Sequence, residues 1–381
     1  MTDFRIIRTS ELVLPPHANI RRLPPREPEF QQPDYLERFD AQTVFCDVFR
    51  SGDDLVLVGP PLLNLEERFA GASYSLDGAP VPAPSFTALN RAQRGVIAGH
   101  NQGDDLLVDY DVDHSASVRI RSDLSSLFDG MNVLAAMQRN NELHWIRDWA
   151  SFYVSVNDVQ ALALYDMRSN LYRMEDIAEA LQGIRGLETV VIVDWPYKYG
   201  VPAFSNGQPW DSDYCQYVAW EHCRRRFLRS ARAVTIADLD ELFLADDGRS
   251  IFAHADEDPH GVVRFKQRFI EPAVKRHPTD AKTRTYADYL YYLPEKPLST
   301  PKWAAILPRL EDRHQLLIHS VGNNHSAFSD VVVGRQFRAM KLAWQRKSFD
   351  RHHPDVPLTR AYEKDAVLAR AFDRVAQVQG R

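Results

Sequence analysis

Residues 233–243, near the middle of the chain, read Ala-Val-Thr-Ile-Ala-Asp-Leu-Asp-Glu-Leu-Phe. The apolar run that opens this segment is typical of a buried strand. Asp238 and Asp240 follow it directly, two residues apart. Side chains at positions i and i+2 of an extended segment point the same way, so both carboxylates can approach one hard cation. Because ligand sites of open α/β sheets lie at the carboxyl edge, a metal site is predicted there.

The Asp-x-Asp pattern alone is weak, because the chain contains it five times, at 109–111, 111–113, 211–213, 238–240 and 256–258. Most of these carboxylates are expected to be solvated loop charges. Only the pair at 238–240 follows an apolar strand in a region where strands and helices alternate. That position singles out Asp238 and Asp240 as candidate metal ligands.

The sequence after Gly130 alternates strand patterns with helix patterns. Strands are predicted near 132–137, 159–165 and 189–195, and helices after 142, over 175–184 and from about 211 to 228. This alternation predicts a Rossmann-like, mainly parallel sheet covered by helices on both faces.

Four parts of the chain are expected from these patterns: an extended arm at 1–35, an all-β accessory domain at 36–128, an α/β domain at 129–330 and closing helices within 331–381. The all-β prediction rests on short strand patterns between turn residues from about 42 to 121. The two closing helices are predicted over 335–347 and 358–378.

The composition excludes several classes of protein. With 46 Lys and Arg against 52 Asp and Glu, the net charge is −6, which disfavours a nucleic-acid-coating role. The three cysteines fit neither a disulfide framework nor a four-ligand zinc site, so a reducing compartment is expected. Aliphatic runs are short, which predicts no bilayer span and a cytoplasmic protein, with peripheral contact to the inner membrane left open.

Five motifs in matching order resemble glycosyltransferases of the GT-A fold, particularly family 92 and related family-2-like proteins. The resemblance covers about residues 131–325. It rests on Gln138-Arg139-Asn140-Asn141-Glu142 followed by Trp145, Tyr165-Asp166-Met-Arg-Ser169, Asp238-Leu-Asp240-Glu241-Leu-Phe243, Lys302-Trp303 and His319-Ser320. In the first motif, one residue is inserted between Arg and Glu relative to the family pattern.

The resemblance implies transfer of a hexose from a nucleotide-sugar, such as a UDP-sugar, to a glycan or glycolipid acceptor, with inversion. Mn²⁺ or Mg²⁺ would bridge the donor diphosphate and the Asp-x-Asp carboxylates. A bound dication stabilises the negative charge that develops on a departing nucleoside diphosphate. By the same resemblance, Asp240 would be the direct metal ligand, Asp238 would help hold the ribose or the metal, and His319 would complete the metal coordination. The nucleotide pocket would be lined by Arg139, Asn140, Glu142 and Asp166.

Three residue assignments have competing interpretations. Glu271, just past the strand pattern of 262–270, is a candidate general base for the acceptor hydroxyl, and Asp256 and Glu257 compete with it. His319 follows Leu-Leu-Ile, so a buried imidazole bonded to backbone is an alternative to a metal ligand. The basic residues Arg264, Lys266 and Arg268 form either an anion-binding face or an ordinary solvated strand face.

Two other functions stay open. A haloacid-dehalogenase-like phosphatase also places Asp-x-Asp after a buried strand, although Glu241 and Leu242 are unusual for that class. A non-catalytic glycan-binding protein is the other alternative, with the function carried by the all-β domain.

Overall fold

The computed structural model describes residues 2–16, 19–202, 212–275, 284–322, 324, 326–340 and 355–380. The chain divides into two units, each built from separate stretches of sequence. We call them the α/β unit (residues 1–7, 128–194 and 230–381) and the strand-rich unit (residues 8–127 and 195–229). The fold is mixed, with several sheets, many strands and few helices.

The first strand, β1 (Asp3–Arg8), joins the largest sheet of the chain. The strand-rich unit follows. Its described elements are β2 (Leu12–Val13), α1 (Tyr35–Arg38), β3 (Thr43–Phe45), β4 (Asp47–Ser51), β5 (Asp54–Gly59), α2 (Glu66–Ala70), β6 (Ser73–Leu76), β7 (Ala79–Val81), β8 (Ser85–Leu89), β9 (Ala92–Ile97), β10 (Asp105–Asp111), β11 (His114–Arg119) and, much later in the chain, α5 (Tyr214–Arg226).

Two four-stranded antiparallel sheets form the strand-rich unit, in the orders β4-β5-β9-β8 and β11-β10-β6-β7. Helix α5 belongs to this unit, although the sequence placed residues 214–226 in the α/β domain. Within the expected arm at 1–35, β1 lies in a sheet, and Leu12, Leu14 and Ile20 lie in the core of the strand-rich unit.

A buried polar cluster fastens α5 to β4. The Asp47 carboxylate accepts a hydrogen bond from Arg226 Nη1 at 2.6 Å, and His222 Nε2 lies 2.9 Å from Asp47 Oδ2. Burial lowers the pKa of His222 despite this carboxylate. His222 therefore has a structural role in the packing of α5 against β4. All three cysteines are buried, and none of them forms a disulfide.

The α/β unit contains the remaining described elements. They are β12 (Asn132–Gln138), α3 (Leu143–Asn157), β13 (Ala161–Asp166), α4 (Met174–Leu181), β14 (Thr189–Asp194), β15 (Ala233–Ile236), β16 (Glu241–Ala245), α6 (Ile251–Glu257), β17 (Val262–Phe265), β18 (Gln267–Ile270), β19 (Ala273–Val274), β20 (Tyr291–Tyr292), β21 (Lys302–Ile306), β22 (Val332–Phe337), β23 (Val356–Pro357), β24 (Glu363–Lys364) and α7 (Ala366–Gln379).

The largest sheet has seven strands in the order β1-β14-β13-β12-β15-β21-β17. Strands β14, β13, β12 and β15 run parallel, as the alternation of strands and helices predicted. Strand β21 is antiparallel to both β15 and β17. Antiparallel pairs also dominate the other described sheets, so the prediction of a mainly parallel architecture is wrong. The antiparallel direction of β21 brings its first residue, Lys302, to the edge where β15 ends.

A second sheet of the α/β unit has three strands in the order β16-β22-β18. Its middle strand, β22, pairs antiparallel with β16 and parallel with β18. The predicted helix at 335–347 is therefore wrong for its first residues, and positions 341–347 lie outside the described residues. The strand predicted over 262–270 is interrupted at Lys266, so that β17 and β18 enter different sheets.

The closing helix α7 begins at residue 366, later than the predicted 358, and a buried ion pair fixes its start. Arg335 on β22 is 1% exposed, and its Nε lies 2.9 Å from Asp365 Oδ2. Asp365 also caps α7 by accepting a hydrogen bond from the Leu368 backbone N–H at 2.9 Å. Burial acts to raise the pKa of Asp365, but the Arg335 charge and the hydrogen bonds outweigh it, and the net pKa is lowered.

Replacing Asp365 with Asn should lower the free energy of unfolding by about 3 kcal/mol at pH 7, because it removes the buried partner of Arg335. The buried charge then keeps only the half-exposed Asp246 carboxylate, 3.4 Å from Arg335 Nη2. A carboxyl with a lowered folded-state pKa stabilises the fold above its unfolded pKa of about 3.9, and this contribution is lost as the pH falls through the folded value. Urea unfolding at pH 7 and at pH 3 should therefore give a smaller difference between wild type and variant at pH 3.

The matched control is Asp373→Asn, which removes an exposed carboxylate from the same helix. It should leave stability within about 0.5 kcal/mol of wild type. Equal effects of the two variants would contradict the role given to the Arg335–Asp365 pair.

Candidate functional site

The acidic residues after β15 form a turn between two strands. The Glu241 backbone N–H donates to the Asp238 carbonyl oxygen at 3.0 Å, so the segment is not extended as the sequence analysis assumed. The turn nevertheless gathers the carboxylates, because one oxygen each from Asp238, Asp240 and Glu241 lies within 4.8 Å of the other two. We call these three residues the acidic triad. Among the residues that the structure describes, it is the one group of three acidic, His or Cys side chains arranged to hold a metal.

The side chains around the acidic triad satisfy some of its oxygens. Lys302 Nζ lies 2.7 Å from Glu241 Oε2 and 3.5 Å from Asp238 Oδ2. Gln267 Nε2 donates to Glu241 Oε1 at 2.9 Å, and Gln336 Nε2 donates to Asp240 Oδ2 at 3.2 Å.

Two carboxylate oxygens of the triad have no hydrogen-bond partner among the described residues. They are Oδ1 of Asp238 and Oδ1 of Asp240, and both are buried within residues that are only 8% and 7% exposed. The Oε1 atom of Gln267, which is fully buried, also lacks a partner in this part of the structure. A buried acceptor without a donor is costly, so these atoms are the ones that a cation would satisfy.

The electrostatics of the triad agree with that conclusion. Burial raises the pKa of Asp240 well above its usual range, and the neighbouring charges of Glu241 and Asp238 raise it further. Burial likewise raises the pKa of Glu241, although Lys302 opposes the shift. Oxygen ligands of this kind suit hard cations such as Mg²⁺ or Mn²⁺, and the residues do not discriminate between the two.

Two of the other predicted motifs, at 138–142 and 165–169, meet at the same edge of the sheet, where β12 and β13 end. The Asn140 backbone N–H donates to Ser169 Oγ at 2.9 Å, and the Asn170 backbone N–H donates to Asn140 Oδ1 at 2.9 Å. Asn140 has a left-handed φ of 54°, a conformation that Asn tolerates better than most residues. The loops at 138–142 and 165–170 are therefore joined directly.

Asp166 lies at the centre of this pair of loops. Its carboxylate is buried and accepts hydrogen bonds from Gln138 Nε2, from Ser169 Oγ at 2.6 Å and from the Ser169 backbone N–H at 2.9 Å. Burial raises the pKa of Asp166 despite these bonds. Arg139 and Glu142 are exposed beside it. Asp166 is thus engaged within the protein, which leaves Arg139 and Glu142 as the more accessible members of the predicted nucleotide pocket.

His319 does not belong to the group of atoms within 4.8 Å. Its Nδ1 lies 3.0 Å from the Pro301 carbonyl oxygen, immediately before Lys302 in the chain. Burial and the Lys302 charge lower the pKa of His319, so the neutral imidazole that a metal requires is favoured. The role of His319 as a metal ligand stays a prediction.

Glu271, the predicted general base, is buried and faces two cations. Its Oε1 lies 2.7 Å from Lys296 Nζ, and its Oε2 lies 3.5 Å from Arg338 Nη1. Both oxygens therefore have a charged partner. The competing acids are also paired, Asp256 with Arg309 and Arg232 and Glu257 with Arg249.

The basic face at 264–268 packs on aromatic rings. The Arg264 guanidinium and Lys266 Nζ lie 4.5 Å and 5.0 Å from the centroid of Phe328, and the Arg268 guanidinium lies 4.0 Å from that of Tyr292. These side chains alternate with Gln267, which contacts the acidic triad instead. Two of the three cations are half-buried, so the face is more ordered than a solvated strand face.

Sequence reasoning missed three of the side chains around the triad. Gln267 and Gln336 were not considered, and Lys302 was noted only as part of a motif. The sequence offered one indication for Gln267. It lies two residues after Phe265 and four after Val263, on the face of the alternating pattern that is buried. For Lys302 the signal was a charge placed directly before the apolar residues 303–306.

No protein-family model matches the chain, and no curated protein matches it either. The glycosyltransferase resemblance is thus a basis for a proposal and not an identification. Within the described residues, no helix has the length and apolar character needed to cross a membrane.

The Asp240→Asn substitution should separate metal binding from folding. Removing a charge from the crowded triad relieves repulsion, so the metal-free variant should melt at or slightly above the wild-type temperature. Mn²⁺ at 100 times its dissociation constant should stabilise the wild type by about 2.7 kcal/mol and the variant by far less. Thermal melts with and without Mn²⁺ measure both effects.

Asp109→Asn is the matched control, because it makes the same change in another Asp-x-Asp sequence at an exposed position of β10. It should preserve the Mn²⁺ shift. A full Mn²⁺ shift in Asp240→Asn would exclude Asp240 as a ligand.

Proposed function

We propose that this protein is a metal-dependent glycosyltransferase that moves a hexose from a nucleotide-sugar, such as a UDP-sugar, to a glycan or glycolipid acceptor. The observation that carries the proposal is a pair of buried oxygens, one each from Asp238 and Asp240, that have no hydrogen-bond partner among the described residues. They lie at the carboxyl edge of the large sheet. They offer a dication two ligands from one short turn, and a dication in turn binds diphosphate oxygens.

The strand order supports a nucleotide site at this edge. Counting from β12, the parallel strands are arranged 3-2-1-4, so the chain reverses direction across the sheet between β12 and β15. In open α/β sheets, ligands bind outside the carboxyl ends of the strands at such a switch point. Arg139 follows β12 and Asp238 follows β15, which puts a basic residue and a metal ligand on either side of it. This arrangement also favours the Rossmann-like, GT-A type of domain over other mixed folds.

Each candidate residue has a physical role in the proposed reaction. Asp238 and Asp240 would hold Mn²⁺ or Mg²⁺, which stabilises the charge on the leaving diphosphate. The joined loops that carry Arg139, Asn140, Glu142 and Asp166 would bind the nucleoside. His319 stays a proposed third ligand.

Inverting transfer needs a base for the acceptor hydroxyl, and we propose Glu271. In the register of β18 and β22, Glu271 directly follows the pair Ile270–Phe337, while the Phe337 N–H donates to the Asp240 carbonyl oxygen at 2.7 Å. Glu271 and Asp240 thus flank the same strand end. Lys296 and Arg338 hold the carboxylate in place, and one of the two must release it before it can accept a proton.

Donor turnover tests the proposal. The protein should be stabilised by a nucleoside diphosphate together with Mn²⁺ more than by either alone, and it should release the diphosphate from a UDP-sugar when an acceptor is present. Asp240→Asn should reduce turnover by at least 100-fold, because it removes a ligand of the cation. That cation would stabilise the negative charge that develops on the leaving diphosphate in the transition state. Its melting temperature should stay within a few degrees of wild type.

Asp109→Asn should retain turnover. Phosphate release from simple phosphoesters without a nucleotide would overturn the proposal in favour of the phosphatase. Calorimetry that detects no binding of UDP or GDP with Mn²⁺ would overturn it in favour of the non-catalytic glycan-binding protein.

A further inference from the structure

Beneath the two metal-ligand candidates lies a buried pair of opposite charges, Lys302 and Glu241. Lys302 is 1% exposed and Glu241 is 2% exposed, and their Nζ and Oε2 atoms are 2.7 Å apart. We propose that the positive charge of Lys302 compensates the negative charge of Glu241 and so fixes the net charge of the acidic site at −2. One divalent cation then neutralises the site, and a diphosphate can bind to it. This inference rests on the proposed function and assigns Glu241 and Lys302 as positioning residues.

The hydrogen bonds of Glu241 exclude it as a ready metal ligand. Its Oε1 accepts from Gln267 Nε2 at 2.9 Å, and its Oε2 accepts from the Asp238 backbone N–H at 3.0 Å as well as from Lys302. Coordination by Glu241 would break at least one of these contacts. The unpartnered oxygens belong to Asp238 and Asp240 instead. Glu241 therefore shapes the turn that presents them.

The charges of the site can be counted directly. With a cation bound, the carboxyls are ionised, because metal ligation displaces protons. Asp238, Asp240 and Glu241 then contribute three negative charges and Lys302 one positive charge, which leaves −2. In a buried site, net charge is expensive, so a dication is favoured over a monovalent ion and the complex formed is neutral. A neutral metal site does not repel the diphosphate that must approach it, whereas a site at −3 with the same cation would.

Removal of the Lys302 charge should therefore have opposite effects on the binding of the two ligands, Mn²⁺ and UDP. Lys302→Met keeps the length and apolar stem of the side chain but leaves the site at −3. Mn²⁺ should then bind about tenfold tighter and UDP, at saturating Mn²⁺, about tenfold weaker, because one unit charge at a few ångströms is worth several-fold to a hundredfold in affinity. A lysine that only stabilised the fold would weaken both ligands when removed.

The double variant Lys302→Met with Glu241→Gln restores the count to −2. Gln267 has an unpartnered Oε1, so its amide can turn over and accept from the new Gln at position 241. Both affinities should return to within about threefold of wild type. Glu241→Gln alone leaves −1 and should weaken Mn²⁺ binding about tenfold, which provides a second test should Lys302→Met fail to fold.

Isothermal titration calorimetry with Mn²⁺ alone, and then with UDP at saturating Mn²⁺, measures these quantities on the full chain. Weaker Mn²⁺ binding by Lys302→Met, or a double variant that behaves like that single variant, would overturn the inference. Absence of UDP binding to the wild type would overturn the proposed function instead, while the Mn²⁺ titrations would still test the charge count.

Discussion

Burying a carboxylate removes it from water, and the α/β unit does this to three carboxylates within one turn of four residues. Such a turn is tolerated only if neighbouring groups replace the lost hydration. Lys302, Gln267 and Gln336 supply part of that replacement from three different strands. Two carboxylate oxygens, from Asp238 and Asp240, receive no donor from the described residues, and these are the atoms available to a cation.

The same requirement explains why the large sheet departs from a purely parallel arrangement. A parallel strand beside β15 would begin at the opposite edge, far from the acidic turn. Because β21 is antiparallel, its first residue lies where β15 ends, and Lys302 reaches the carboxylates. Gly334 contributes in a smaller way, since a Cβ on it would meet the Gln267 side chain at 2.8 Å. The glycine leaves room for the amide that contacts Glu241.

Local patterns predicted the elements whose residues are close in sequence. Strands β12 to β15 and helices α3 to α5 follow from apolar periodicity. The place of the acidic residues follows from the strand before them, although their turn conformation does not. Strand β22 could not be predicted in this way, because its pairing partners lie about 65 to 95 residues earlier in the chain. The aromatic and aliphatic spacing at 337–344 fits a helix equally well. Pairing with the distant strands β16 and β18 makes residues 332–337 a strand.

Strand β22 also contributes to the burial of the acidic turn. Gln336, the donor to Asp240, lies 96 residues further along the chain, and β22 covers the β16 side of the turn. During synthesis on the ribosome, the turn is therefore completed long before the strand that covers it. Until β22 has been synthesised, Asp240 lacks the Gln336 amide, so the acidic turn cannot yet be buried as it is in the folded chain.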